Sequence, residues 1–140
     1  MNEAATDTDD SDGAGSLLDQ LVGPFYDADG VTSYLTVTDA ELSAMVAADH
    51  VIAVPLAAGT PVFPAWQFRP DRRVDEQLLA VWRALRGAAD PWTAACWMCA
   101  PSRDLDGETA IAFLTDRARR ADRLQTVLAR AAEDCARWLQ

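Results

Sequence analysis

The chain has no lysine, a single histidine and no cationic side chain before Arg69. Each absence removes a class of function. One histidine, His50, cannot supply a set of converging imidazole ligands, and a lone histidine near a helix end is ordinarily a boundary residue. There is no Gly-x-Ser-x-Gly, no phosphate-binding loop and no dinucleotide fingerprint, so no cofactor and no catalytic residue is expected and the chain reads as a non-enzyme. No stretch approaches the roughly 20 apolar residues of a membrane helix, and the acidic start is unlike the basic front of a secretory leader. A cytoplasmic protein without membrane contact is expected.

Cysteine is also scarce: Cys96, Cys99 and Cys135 are an odd number and form no secreted disulfide framework. The Cys96-Trp97-Met98-Cys99 spacing matches that of zinc and redox pairs, but a structural zinc needs four ligands and no second pair is present. The pair sits in an apolar stretch, where free cysteines behave as small hydrophobes. Asp104 and Asp106 fall short of the oxygens that a calcium loop requires, so no metal site is expected.

What is present is unevenly spread. Residues 1–60 carry eleven acids and no cation, whereas residues 61–140 carry twelve arginines against eleven acids, so the net charge of -10 is -11 from the first part and +1 from the second. Residues 1–15 have almost no large apolar side chain and read as a disordered acidic tail.

Beyond the tail, 16–70 reads as a helix-turn-helix-like part with a short hairpin. Leu17, Leu18, Leu21 and Val22 make a short helical stripe that Gly23-Pro24 ends, and a second helix is predicted from Asp27 to about Leu35. Thr38-Asp39-Ala40-Glu41 is a capping box ahead of Leu42, Met45 and Val46. The β-type runs Val51-Ile52-Ala53-Val54-Pro55 and Pro61-Val62-Phe63-Pro64 flank a Gly59 turn, which suggests a hairpin whose prolines confine it to sheet edges.

Residues 71–140 read as a helical, partner-binding module. A helix starting near Asp71 aligns Val74, Leu78, Val81, Trp82 and Leu85 and stops at Gly87. Asp90-Pro91 starts another, which must end before Pro101. After a turn at Leu105-Asp106-Gly107 comes a short helix with Ile111, Phe113 and Leu114. Last is a long helix with Leu124, Val127, Leu128, Ala131, Cys135 and Trp138 on one face and Arg130/Asp134 and Glu133/Arg137 paired on the other. The fold class is mainly α, and the long stripe makes a homodimer possible.

The stretch from Trp92 to Leu114, WTAACWMCAPSRDLDGETAIAFL, resembles the C-terminal domain of Xre/MbcA/ParS-type antitoxins, the partners of RES-domain toxins. The matching positions are Trp97-Met98, Pro101-Ser102-Arg103, Leu105, Gly107, Ile111 and Leu114, with Ala110 where that family often has proline. Phe63-Pro64-Ala65-Trp66-Gln67-Phe68 and Asp90-Pro91-Trp92 also look like longer members. The resemblance implies an antitoxin that covers the active site of an NAD-consuming RES toxin. It makes Trp92, Trp97, Pro101, Arg103 and Leu105 candidate partner-binding residues. Arg137, Trp138 and Leu139 join them because they end the chain with little sequence left to cover an aromatic.

The same outline suggests an operator-binding regulator. Duplex binding rests on cations that neutralise phosphate, and TDAELSAMVAADH, the segment expected to read DNA, offers Asp39, Glu41 and Asp49 instead. Arg69, Arg72 and Arg73 are the only candidates for phosphate contact, so DNA binding is not expected. A transcriptional regulator or an orphan protein-binding adaptor are the alternatives to the antitoxin.

Overall fold

The computed structural model describes residues 20–115 and 120–140. The expected acidic tail, together with Leu17 and Leu18, lies outside the described residues. Residues 20–22 are helical and lead into strand β1 (Phe25–Tyr26), helix α1 (Ala28–Leu35) and helix α2 (Asp39–Ala47). Asp27 accepts from Gly30 N and so caps α1 from outside, where the sequence suggested that it begins the helix. Thr36 then takes a left-handed conformation and turns the chain. The capping box at Thr38 forms as expected, with the hydroxyl accepting from Glu41 N and the carboxylate accepting from Thr38 N.

The expected hairpin is present as β2 (Val54–Pro55) against β3 (Pro61–Pro64), with Val54 opposite Val62. It is one strand larger than expected. β1 pairs antiparallel with β3, Phe25 opposite Pro64 and Tyr26 opposite Phe63, to give the order β1-β3-β2. Residues 65–67 form a 3-10 turn that brings Gln67 into the interior.

The next helix, α3 (Glu76–Arg86), starts five residues later than Asp71. Its cap is Asp75, whose carboxylate accepts from Gln77 N and Leu78 N at 2.9 and 3.1 Å. Val74 is therefore not helical and instead bridges to Phe68 across the loop. Gly87 does end α3, but at φ -66° rather than in the left-handed form expected of a glycine cap. Asp90 caps α4 (Pro91–Cys99) with Pro91 first in the helix, and a short α5 (Ala110–Phe113) precedes α6 (Arg120–Trp138). Arg123 ties the last two together, donating to Phe113 O at 2.9 Å and lying 4.3 Å from its ring centroid. The fold is mainly α, with this small sheet set into it.

Two apolar clusters form the interior. The larger joins Val22, Ile52 and Val54 to α3, α4 and α6, so the packing runs straight across residue 70. The smaller holds Val31, Leu42, Val51 and Phe63 under α1 and α2. The α6 stripe that raised the possibility of a dimer is used within the chain, with Val127 and Ala131 fully buried in the larger cluster. The neighbours Val51 and Ile52 face different clusters. Gln67, with no exposed surface, holds the irregular segment between them: its amide donates to Ile52 O at 2.8 Å and to Pro64 O at 3.0 Å, and its carbonyl accepts from Ile52 N at 2.8 Å.

Replacing Gln67 by leucine strands both backbone groups of Ile52 away from water. Urea denaturation of Gln67→Leu is expected to show a loss of about 2–4 kcal/mol. A loss below about 0.5 kcal/mol, the scale of a neutral surface change, would mean that the clamp does not hold the two clusters together.

Candidate partner-binding cleft

Three of the residues singled out by sequence converge. Trp97 near the end of α4, Pro101 in the following loop and Leu105 at the end of a 3-10 turn (Arg103–Leu105) line one cleft of about 210 Å³, closed on its far side by Arg130 and Asp134 of α6. Their roles differ. Leu105 is 1% exposed and shapes the floor from within the core, whereas Pro101 stands exposed at the rim; Arg103 is exposed but is not among the residues that line the cleft. Trp97 is half-buried and turned so that its indole N–H donates to Asp134 Oδ2 at 2.6 Å.

Asp134 is the residue that sequence reasoning passed over as half of a surface pair. It is 6% exposed, accepts hydrogen bonds from the Trp97 indole and from Arg137, and forms an ion pair with Arg130 at 3.3 Å. Arg130 also reaches Asp104 at 3.2 Å and Glu133 at 3.0 Å. The expected Glu133/Arg137 pair is thus re-dealt, with Arg137 on Asp134 and Glu133 on Arg130. The signal was available, because Asp134 follows Val127 and Ala131 at helical spacing and so falls on the apolar stripe. A carboxylate there needs donors from another element, and Trp97 is that donor.

The remaining candidates lie apart. Trp92 is half-buried at the start of α4, its ring 6.0 Å from that of Phe25 and its indole donating to Pro55 O at 2.8 Å, which locks α4 onto the hairpin. Trp138 and Leu139 are 39% and 70% exposed at the end of α6, next to Arg137. They are uncovered apolar surface outside the lining of the cleft. Arg69, Arg72 and Arg73 gather in one loop at the far end of α1. There Arg69 N donates to Arg73 O, the Tyr34 hydroxyl donates to Arg69 O, and the Arg72 guanidinium lies 5.6 Å from the Tyr34 ring centroid. These arginines flank the first helix of the helix-turn-helix. The exposed face of α2 carries alanines, Ser43, Asp39 and Glu41 instead.

The cysteines are arranged for packing. Burial pushes the Cys99 thiol up to about 12, and burial likewise raises Cys96 and Cys135, helped by the nearby Asp90 and Asp134 carboxylates. His50 is exposed just beyond α2. Among the described residues, no three His, Cys, Asp or Glu side chains come together as metal ligands, and no helix is long and apolar enough to cross a membrane.

The fold is similar to that in the NMR structure of Rv2175c, with a TM-score of 0.60 over 80% of this chain and 81% of that one. At 21% identity the likeness is one of fold. No protein-family model matches the chain, and neither does any curated protein.

Two outcomes follow. A thiol raised to about 12 is ionised to about one part in ten thousand at pH 8, so Cys99 should be alkylated at least about a hundredfold more slowly in the native protein than in urea. Fast native labelling at Cys99 would contradict the packing role. Asp90, whose carboxylate accepts from the Thr93 side chain and backbone, is held below the ordinary carboxylate range. A depressed carboxylate adds stability above its unfolded pKa and loses it as pH falls through the folded value. Asp90→Ala should therefore cost about 1 kcal/mol at pH 7, and the gap to the wild type should close in strong acid. Denaturation curves at both pH values check this, and a gap that does not change with pH refutes it.

Proposed function

We propose that this chain is a cytoplasmic, non-enzymatic antitoxin-like protein that binds a RES-type NAD-consuming toxin and blocks its active site. The observation that carries the reading is the convergence of Trp97, Pro101 and Leu105 on one cleft beside the open end of α6. These are the positions by which the sequence resembles the toxin-binding domain. The cleft suits a protein partner: it has a rigidly held aromatic and an arginine among carboxylates, and uncovered apolar surface lies outside its lining at Trp138 and Leu139. None of the three cysteines is an activated thiol, since burial raises all of them, which fits a role as a plug.

A second reading, a DNA-binding regulator, is favoured by the α1-turn-α2 unit with its adjoining hairpin. Charge weighs against it, because α2 has no cation and the arginine loop lies beside α1. A mobility-shift assay on the upstream DNA separates the two readings, since tight sequence-specific binding there would favour the regulator.

The direct test is co-expression with a RES-domain toxin. Wild type should restore growth, and the exposed rim variant Pro101→Asp should bind at least about tenfold more weakly, as loss of one hot spot does. Its circular dichroism should stay unchanged. A rim variant that neutralises as well as the wild type would remove the cleft from the interface. Toxicity that persists beside the wild type would refute the antitoxin reading altogether.

A further inference from the structure

The helix-turn-helix half carries a second recess that shares no residue with the α4–α6 cleft. One cavity of about 230 Å³ opens between Ala28 at the start of α1, Asp39, Leu42 and Ser43 of α2, and Phe63 of β3. Another of about 260 Å³ continues past Val51 toward Arg86. Val46 and Pro61 line both, so the two make one trough along α2, from its first residue to Asp49 just beyond its last. Its floor is apolar, formed by Leu42, Val46 and Phe63. A nine-residue helix is about 13 Å long, the span of about four extended residues.

The two ends of the trough differ electrostatically. At the far end Asp49 faces Arg86 at 3.6 Å and accepts from the Trp82 indole, so its charge is matched. At the near end Asp39 lines the recess, Asp27 and Asp29 flank its lining residue Ala28 in sequence and Glu41 precedes Leu42, and no cation precedes Arg69 in the sequence. Asp27 and Glu41 each give an oxygen to a helix cap. Asp29 and Asp39 have no ion-pair partner among the described residues. An apolar floor with an unmatched acidic mouth selects for a ligand of opposite pattern.

We propose that this trough binds a short extended segment of a partner protein, with an apolar side chain seated on Leu42, Val46 and Phe63 and an adjoining Arg or Lys at the Asp29/Asp39 mouth. Phosphate is repelled from that mouth, which separates the site from nucleic-acid recognition. A second copy is the poorer occupant, because two chains of net charge -10 repel each other. The site can be filled independently of the toxin cleft, and it gives the acidic half a use that does not involve DNA.

The test is a ¹⁵N NMR titration of the full chain with the peptide acetyl-Lys-Arg-Leu-Ile-Ser-amide. Shifts are expected to concentrate at the amides of Ala28, Leu42, Ser43 and Val46. Affinity should fall at least about fivefold in Asp29→Asn/Asp39→Asn and again on raising salt from about 50 to about 300 mM, as exposed charge pairs require. The same peptide with serine for Leu and Ile should lose the localised shifts. Three results overturn the proposal: no shift at about 2 mM peptide, a range that would catch even very weak binding; equal shifts with the serine peptide, which would reduce the effect to bulk charge; or trough shifts that grow with protein concentration alone, which would make the occupant a second copy.

Discussion

The fold depends on keeping two apolar clusters apart while one irregular segment serves both. Val51 faces the cluster under α1 and α2, and Ile52 faces the larger one built by α3, α4 and α6. A backbone in that position is sealed from water on both sides, and β2 begins too late to pair it. Gln67 supplies the missing partners from the 3-10 turn after β3. A side chain with one acceptor and two donors is what a single residue needs to satisfy both backbone groups of Ile52. The hairpin, the turn and the two clusters are thereby fixed to each other, and α4 is positioned in turn through Trp92 on Pro55.

Much of this was legible in local chemistry. The capping box at Thr38, Asp90-Pro91 at the head of α4, and the β2–β3 hairpin depend on neighbours within a few residues, and each appears where the sequence places it. What misled was chemistry settled at long range. Asp71 looks as good a cap as Asp75, but the Phe68 to Val74 bridge closes residues 69–73 into a tight turn, with Arg72 N donating to Arg69 O, so the helix waits for Asp75. Phe25 and Tyr26 are too short a run to announce a strand, and they become one only because β3 offers a free edge. The cleft was half legible: Trp97, Pro101 and Leu105 carry a recognisable series, while Asp134 was disguised by the arginines beside it in sequence.

Charge and shape divide the molecule's surface unevenly. The arginines that could meet phosphate are gathered at the end of α1, where Tyr34 stacks with one and holds the loop of the others. The helix that would enter a groove presents alanines and carboxylates. A helix-turn-helix is a geometric unit before it is a DNA reader, and here its electrostatics favour ligands of the opposite sign. The C-terminal half is more balanced, with arginines and acids interleaved around Trp97.

The three side chains that converge on Asp134 bear on how this sequence can drift. The indole of Trp97 and the guanidinium groups of Arg130 and Arg137 share one carboxylate, so the value of each depends on whether the other two are present. Changes at these positions will not be additive, and a substitution tolerated in one background will be damaging in another. Positions 97, 130, 134 and 137 should therefore vary as a set among relatives, so that a lineage that loses the carboxylate also loses the tryptophan's polar contact and rebuilds the cleft around an apolar pair. A comparison made one column at a time would score each position as variable and miss the site, whereas their joint variation would outline it.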